Sequence, residues 1–142
     1  MKTLLIVLFI AIITGQATLL APESKTIPIP LPGLIAPYEA LYQAQVQVES
    51  GGNPNAYNAK EMATGIVQVR PIRLRDFNRR AGKQYTLSDC YNEKVSKEIW
   101  LFYASQYHPS QQETIARKWN GSGHMTKEYW KRVKNELKKQ TK

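Results

Sequence analysis

Cysteine and histidine are scarce in this chain, which has one cysteine and two histidines among 142 residues. A disulfide needs two thiols, so Cys90 cannot form one within the chain, and the fold must depend on its core alone. His108 and His124 stand in no spacing typical of a zinc site or of an activated nucleophile. We therefore predict no bound metal, no cofactor and a structural role for a half-buried Cys90.

Long apolar runs are also missing. The longest, residues 4–13, is about half as long as the roughly 20 residues that a membrane-spanning helix needs. It follows Lys2 and precedes Thr14-Gly15-Gln16-Ala17, which has small residues at the two positions that a signal peptidase reads. This order predicts a secretory signal peptide over residues 1–17, cleaved after Ala17. An uncleaved membrane anchor is the alternative.

Negative charge is scarce relative to positive charge. The chain has 20 Lys and Arg against 11 Asp and Glu, which gives a formal net charge of +9. An exported basic protein meets anionic wall polymers and lipid head groups, and its charge raises the encounter rate with them without specifying a target. Nucleic acid is the other usual partner of a basic chain, and the export signal argues against it. We therefore expect the mature protein in the periplasm or cell envelope.

Prolines dominate residues 18–37. Prolines at alternate positions fix φ and remove backbone donors, so this segment is predicted to be extended and polyproline-like. It is either a spacer that links the export signal to a folded domain or a strap that lies along that domain's surface. The prolines are Pro22, Pro28, Pro30, Pro32 and Pro37.

Residues 38–142 carry helical signals and no alternating strand pattern. An amphipathic pattern runs from Tyr38 into Glu49, and the Gly51-Gly52 pair must end it. Pro71 suits the first turn of a second helix over residues 72–81, and Gly82 suits the position after its end. The sequence therefore predicts a mostly α fold with one folded domain, which we expect to be a monomer.

Capping signals predict three further helices. Ser88 or Asp89 can cap a helix that ends near Tyr107. Residues 110–113, Ser-Gln-Gln-Glu, have the pattern of a capping box. Thr126 can cap the last helix, whose surface is basic.

Four short stretches stand out because of their order and spacing. They are Glu49-Ser50-Gly51-Gly52-Asn53-Pro54, Gly65-Ile66-Val67-Gln68-Val69-Arg70-Pro71, Asp89-Cys90-Tyr91-Asn92 and Trp119-Asn120-Gly121. Together they resemble the motifs of the SLT-type lytic transglycosylases, in the lysozyme-like superfamily that includes goose-type lysozymes. The resemblance covers about residues 38–134 and implies a lysozyme-like helical domain over residues 38–142.

Glu49 has the clearest chemical role. A carboxylic acid donates a proton near neutral pH only where an apolar setting raises its pKa, and Val46 and Val48 flank Glu49 on an apolar helix end. By resemblance, Glu49 is the single acid and base that cleaves the β-1,4 bond between MurNAc and GlcNAc in peptidoglycan. The muramic N-acetyl group assists, and the 6-hydroxyl closes to a 1,6-anhydro product. The alternative is a glutamate that merely ends a helix, where the helix dipole disfavours it.

The resemblance also implies residues that bind the glycan. The Ser50 hydroxyl lies near an acetamido group or is bonded to the backbone. Gln68 contacts the sugar or is a buried structural amide. Trp119 replaces a tyrosine, so it keeps an apolar wall and loses a phenol hydroxyl, while Asn120 can hold an acetamido group. Asn92 is interpreted as structural at a helix start.

Glu61 is the one candidate for a second acid, because it lies between the first two stretches. It is either a solvated loop charge or a group that faces the sugar. In the second case it orients the acetamido group or positions a water, and the water would favour hydrolysis.

The sequence thus predicts an exported lytic transglycosylase whose partner is the peptidoglycan glycan strand. A lysozyme-type hydrolase of the same bond is one alternative. A catalytically poor wall-binding module, which uses the basic last helix, is another. The small size suggests a specialised task, such as opening the wall for a secretion, conjugation or phage apparatus.

Overall fold

The computed structural model describes residues 35–141, so the predicted signal peptide and residues 18–34 of the predicted linker lie outside the described residues. The described part is mostly helical, which confirms the prediction of a mostly α fold. Its elements, in chain order, are α1 Glu39–Ser50, β1 Tyr57–Asn58, β2 Ala63–Thr64, α2 Pro71–Ala81, α3 Glu93–Ala104, α4 Gln112–Asn120 and α5 Met125–Gln140. Within residues 35–141, no helix combines the length and apolar composition that crossing a bilayer requires.

The glycine and proline signals placed the first two helices correctly. Gly51 and Gly82 both adopt left-handed φ, +63° and +65°, and their N–H groups bond to carbonyls of the helices that they end. Pro71 is the first residue of α2, where its missing N–H costs nothing. These positions confirm the predicted ends of α1 and α2.

The predicted extended segment over residues 18–37 is wrong at its C-terminal end. Ala36–Tyr38 form a 3₁₀ turn, in which the Tyr38 N–H donates to the Ile35 carbonyl at 2.8 Å. Tyr38 is buried, and Ile35 packs against the core. Apolar contact therefore overrides the extended preference of this proline-containing stretch.

All three predicted caps are wrong. Residues Ser88–Tyr91 form a separate 3₁₀ turn, and Asn92 caps α3 by accepting the Lys94 N–H at 2.9 Å. This contact also confirms the structural role predicted for Asn92. Asn92 directly precedes α3, so its side chain can accept the Lys94 N–H in the first turn of the helix. Ser88 and Asp89 lie too far before the helix to reach this turn.

The capping box at residues 110–113 does not form, because the Ser110 hydroxyl bonds to His108 Nδ1 at 2.8 Å and no side chain caps α4. Thr126 lies inside the first turn of α5, where its hydroxyl donates to the Gly123 carbonyl at 2.8 Å. Both hydroxyls bond locally outside the cap position, a competition that the sequence pattern does not reveal.

A small hairpin was missed by the sequence analysis. β1 and β2 are antiparallel, with Tyr57 opposite Thr64 and Asn58 opposite Ala63. Two-residue strands are too short to show alternation. The chain then turns back at once, because a bridge between Thr64 and Val69 closes the four-residue loop 65–68.

The core joins the helices around α5 and α3. α5 packs against α1 and α4, and Val133 and Tyr129 on its inner face are buried. Trp100 of α3 is fully buried and meets the Tyr42 ring edge-on at 5.1 Å. This packing brings the end of α1, the loop 65–68 and the end of α4 to one place.

Gly65 should tolerate no side chain, whereas Gly82 should tolerate one at modest cost. Both have positive φ, but a Cβ at Gly65 would lie 1.9 Å from the Cys90 carbonyl oxygen, and one at Gly82 would meet no atom within 4 Å. We expect Gly65→Ala to lower the free energy of unfolding by more than about 3 kcal/mol. Gly82→Ala should lower it by about 1–2 kcal/mol. Chemical denaturation measures both, and equal losses would contradict the assigned contact.

Candidate active site

A polar cleft of about 200 Å³ lies beside the C-terminal end of α1. Five of the six residues predicted for the site line it, and these are Glu49, Glu61, Gln68, Trp119 and Asn120. Ser50 is not among the residues that line it. Six further residues line the cleft without having been predicted for the site, and three of them, Arg70, Tyr129 and Arg132, have side chains that affect the charge of Glu49.

Glu49 is partly buried at this cleft, and its surroundings both raise and lower the pKa of its carboxyl group. The pKa of Glu49 is about 7, raised from its ordinary 4.5 mainly by burial and also by the nearby charge of Glu61. A hydrogen bond from Tyr129 and the guanidinium groups of Arg70 and Arg132 lower the pKa. The net result is an acid that is partly protonated at neutral pH, as general acid catalysis requires.

Tyr129 is the closest polar partner of Glu49. Its hydroxyl donates to Glu49 Oε1 at 2.7 Å and accepts from the Gln45 amide nitrogen at 2.9 Å. The sequence offered only one signal for it, its place on the apolar face of the last predicted helix. That signal predicts a core residue and says nothing about a contact with Glu49, which lies 80 positions earlier.

Gln68 is held in the cleft by its own amide nitrogen. Nε2 donates to the Gly65 carbonyl at 2.9 Å and to the Ala56 carbonyl at 3.2 Å. Both hydrogens of the Gln68 amide are thus bonded to backbone carbonyls, so the amide nitrogen has the structural role that was one of the two predicted alternatives. In the part of the chain that the structure describes, no donor reaches Oε1, which remains available as an acceptor.

The Ser50 hydroxyl is bonded to the backbone. It donates to the Ile66 carbonyl at 2.7 Å and also lies 3.4 Å from the Val46 carbonyl. One hydroxyl has one hydrogen, and the shorter contact takes it. Ser50 therefore fixes the end of α1 to the loop 65–68, and a contact with a sugar stays a prediction.

Trp119 and Asn120 reach the cleft from the end of α4. Trp119 is only 4% exposed, and its indole N–H donates to the Val67 carbonyl at 3.1 Å. So little exposed ring makes Trp119 a wall of the cleft rather than a platform for a sugar face. Asn120 is partly buried at the last position of α4.

Two arginines hold the end of α4 against the cleft. Arg70 Nη2 donates to the carbonyls of Trp119 and Asn120. The Arg73 guanidinium donates to the carbonyl of Lys118 and stacks over the Trp119 ring at 4.6 Å. Cations at a helix C-terminus stabilise its free carbonyls. Arg70 thus shapes the cleft and also lowers the pKa of the acid in it.

Glu61 is exposed on the hairpin and also lines the cleft. The two alternatives predicted for Glu61, a solvated loop charge and a group that faces the cleft, are therefore compatible. Its charge raises the pKa of Glu49, but less than burial does.

Cys90 has no place in this chemistry. It is fully buried rather than half-buried, and burial raises the pKa of its thiol to about 12. Thiolate chemistry is therefore closed to it. Among residues 35–141, no group of three or more His, Cys, Asp or Glu could hold a metal ion.

The folded protein should lose stability as Glu49 ionises. The pKa of Glu49 is about 7 in the fold against an ordinary 4.5, so its contribution is fully present below pH 4.5 and is lost as the pH rises through 7. The difference amounts to at most about 3 kcal/mol. We expect Glu49→Gln to remove this loss and to be more stable than the natural chain at pH 8, measured by chemical denaturation at several pH values. Glu128→Gln on the surface is the control and should change stability by less than about 0.5 kcal/mol.

No family model, curated protein or solved structure matches this chain. The interpretation of the cleft therefore rests on its own chemistry, on a partly protonated carboxylic acid among amide, guanidinium and phenol groups.

Proposed function

We propose that this chain is an exported peptidoglycan lytic transglycosylase with Glu49 as its single acid and base. Its substrate is the β-1,4 bond between MurNAc and GlcNAc, and its product carries a 1,6-anhydro MurNAc end. One observation carries the proposal, a partly buried glutamate with a pKa of about 7 that lines a polar cleft. Carboxylic acids with raised pKa values cluster at sites that transfer protons.

The reaction uses Glu49 twice. Its protonated carboxyl gives the proton to the glycosidic oxygen as the bond to the GlcNAc leaving group breaks. The muramic acetamido group stabilises the anomeric carbon, and the carboxylate then takes the proton of the 6-hydroxyl as that oxygen closes on the carbon. A pKa near 7 suits both steps, because neither protonation state is strongly disfavoured at neutral pH.

The cleft offers suitable groups for the glycan. Gln68 Oε1 can accept from an acetamido N–H, and the Asn120 side chain can both donate and accept. Arg70 and Arg132 favour the carboxylate of Glu49 between the two steps. Trp119 closes the wall behind the acid and limits water on that side.

The wider context is proposed from sequence alone. The mature chain acts as a monomer in the periplasm or cell envelope, drawn to the anionic wall by its positive charge, which is +9 for the full sequence and one less once Lys2 is removed with residues 1–17. Its small size suits local opening of the wall for a secretion, conjugation or phage apparatus.

The product distinguishes the proposed reaction from its rivals. We expect the chain without residues 1–17 to release anhydro-muropeptides from purified peptidoglycan, detected by mass spectrometry. Glu49→Gln should lower the rate by about 10²–10⁴-fold, because the proton donor is lost. Release of reducing-end muropeptides, which are one water heavier, would identify a hydrolase instead. No release by either protein would favour the wall-binding module.

A lysozyme-type hydrolase is the second candidate, because Glu61 lines the same cleft as Glu49. A hydrolase needs a group that positions water, and Glu61 is the available carboxylate.

Glu61→Gln should separate these two functions. In a transglycosylase it leaves the anhydro product and most of the rate, and it moves the alkaline limb of the pH–rate profile to lower pH. The sign follows because the charge of Glu61 raises the pKa of Glu49, and the acid form of Glu49 is the active one. A rate loss of about 10²-fold or more with reducing-end products would support the hydrolase.

A further inference from the structure

We infer that Trp100, Gln45 and Tyr129 form a one-directional hydrogen-bond chain that keeps the proton of Glu49 on Oε2. Tyr129 and Gln45 are then positioning residues for the acid. The catalytic consequence rests on the proposed function, while the order of the hydrogen bonds does not.

The chain of contacts is continuous and lies in the core. Trp100 Nε1 donates to Gln45 Oε1 at 3.1 Å, Gln45 Nε2 donates to the Tyr129 hydroxyl at 2.9 Å, and this hydroxyl donates to Glu49 Oε1 at 2.7 Å. Trp100 and Gln45 are fully buried, and Tyr129 is 2% exposed. Water therefore cannot replace the first two links, which are buried, without opening the core.

The direction of the chain follows from its first member. An indole nitrogen only donates, so the amide oxygen of Gln45 must face Trp100 and its amide nitrogen must face Tyr129. The Tyr129 hydroxyl accepts that bond and has one hydrogen left, which points to Glu49 Oε1. A buried core holds this arrangement because each reversal would leave a polar hydrogen without an acceptor.

This direction decides where the acidic proton sits. If Oε1 carried it, the Tyr129 hydrogen would face a carboxylic hydroxyl oxygen, which is a poorer acceptor than the carbonyl oxygen, and this part-buried bond would be weakened. The proton is therefore kept on Oε2, the oxygen that Tyr129 leaves free for substrate. A proton on a defined oxygen shortens the search for a reactive geometry.

Several charged groups lie near Glu49, in addition to the uncharged Tyr129 hydroxyl. Arg132 comes from α5, Arg70 and Arg73 from the start of α2, and Glu61 from the hairpin. Of the described residues, Tyr129 alone donates a hydrogen bond to the Glu49 side chain. Burial and the Glu49 charge raise the pKa of Tyr129 well above its usual value, so it stays a phenol throughout the working pH range.

Tyr129→Phe in the full chain tests the inference with two readouts. Carboxyl-carbon NMR of ¹³C-labelled glutamate follows the titration of Glu49 without any need for activity. We expect the pKa of Glu49 to rise above about 7, because the lost donor favoured the carboxylate. We also expect kcat on peptidoglycan at low pH to fall by about tenfold with KM changed less than about twofold.

Gln45→Met gives a second test that keeps the volume of the buried side chain. Without the amide donor the Tyr129 hydroxyl can rotate, so both readouts should move in the same direction as in Tyr129→Phe, but less. Tyr85→Phe is the matched control, because Tyr85 donates to the Glu98 carboxylate at 2.9 Å outside the cleft. It should leave the Glu49 titration and kcat unchanged.

The outcomes separate this inference from the proposed function. An unmoved Glu49 titration in both Tyr129→Phe and Gln45→Met would overturn the hydrogen-bond chain, whatever the activity. A moved titration in a protein that does not cleave peptidoglycan would support the chain and reject the proposed enzyme. If Tyr129→Phe does not fold by circular dichroism, Gln45→Met decides.

Discussion

The loop 65–68 is the constraint on which the site depends, because its backbone carbonyls join the conspicuous sequence stretches. Ser50 donates to the Ile66 carbonyl, and Trp119 donates to the Val67 carbonyl. Gly65 lies so close to the Cys90 carbonyl that a Cβ would collide with it. Backbone carbonyls can hold partners in place only if the loop itself is fixed, and the bridge between Thr64 and Val69 fixes it. A change of φ in this loop would therefore disturb the end of α1 next to Glu49, the indole of Trp119 and the 3₁₀ turn that contains Cys90 together.

The site carries several features that cost stability. Glu49 stands near the C-terminus of α1, where the helix dipole opposes a negative charge. Gln68 adopts a left-handed φ of +54°, which costs a residue with a side chain on the order of 1 kcal/mol or more. Gln45 is a fully buried amide, which is acceptable only because Trp100 and Tyr129 satisfy it. Strained and buried polar groups of this kind cluster where a protein needs fixed chemistry. Here Glu49 and Gln68 line one cleft, and Gln45 bonds to Tyr129, the partner of Glu49.

How far the sequence predicted this molecule depended on the range of each signal. Glycine and proline act through their own φ, so Gly51, Pro71 and Gly82 marked helix ends correctly. Cap assignments failed because a hydroxyl such as that of Thr126 can bond locally without capping. The site was predicted in part: five of the six predicted site residues line the cleft, but Ser50 does not and Tyr129 was missed. Its position depends on how α5 packs against α1, which is a tertiary property.

Tyr129 also bears on the expectation for Trp119. The resemblance predicted a tyrosine where Trp119 stands, and so the loss of a phenol hydroxyl from the site. The structure places another phenol, from α5, against Glu49 Oε1, while the indole of Trp119 bonds to the loop carbonyl. Burial alone would push the pKa of Glu49 upward and leave the carboxylate unfavourable in the second step of the proposed reaction. The phenol and the two cleft guanidiniums oppose that push. A single carboxyl can then serve as acid and as base, because its surroundings favour neither form strongly at neutral pH.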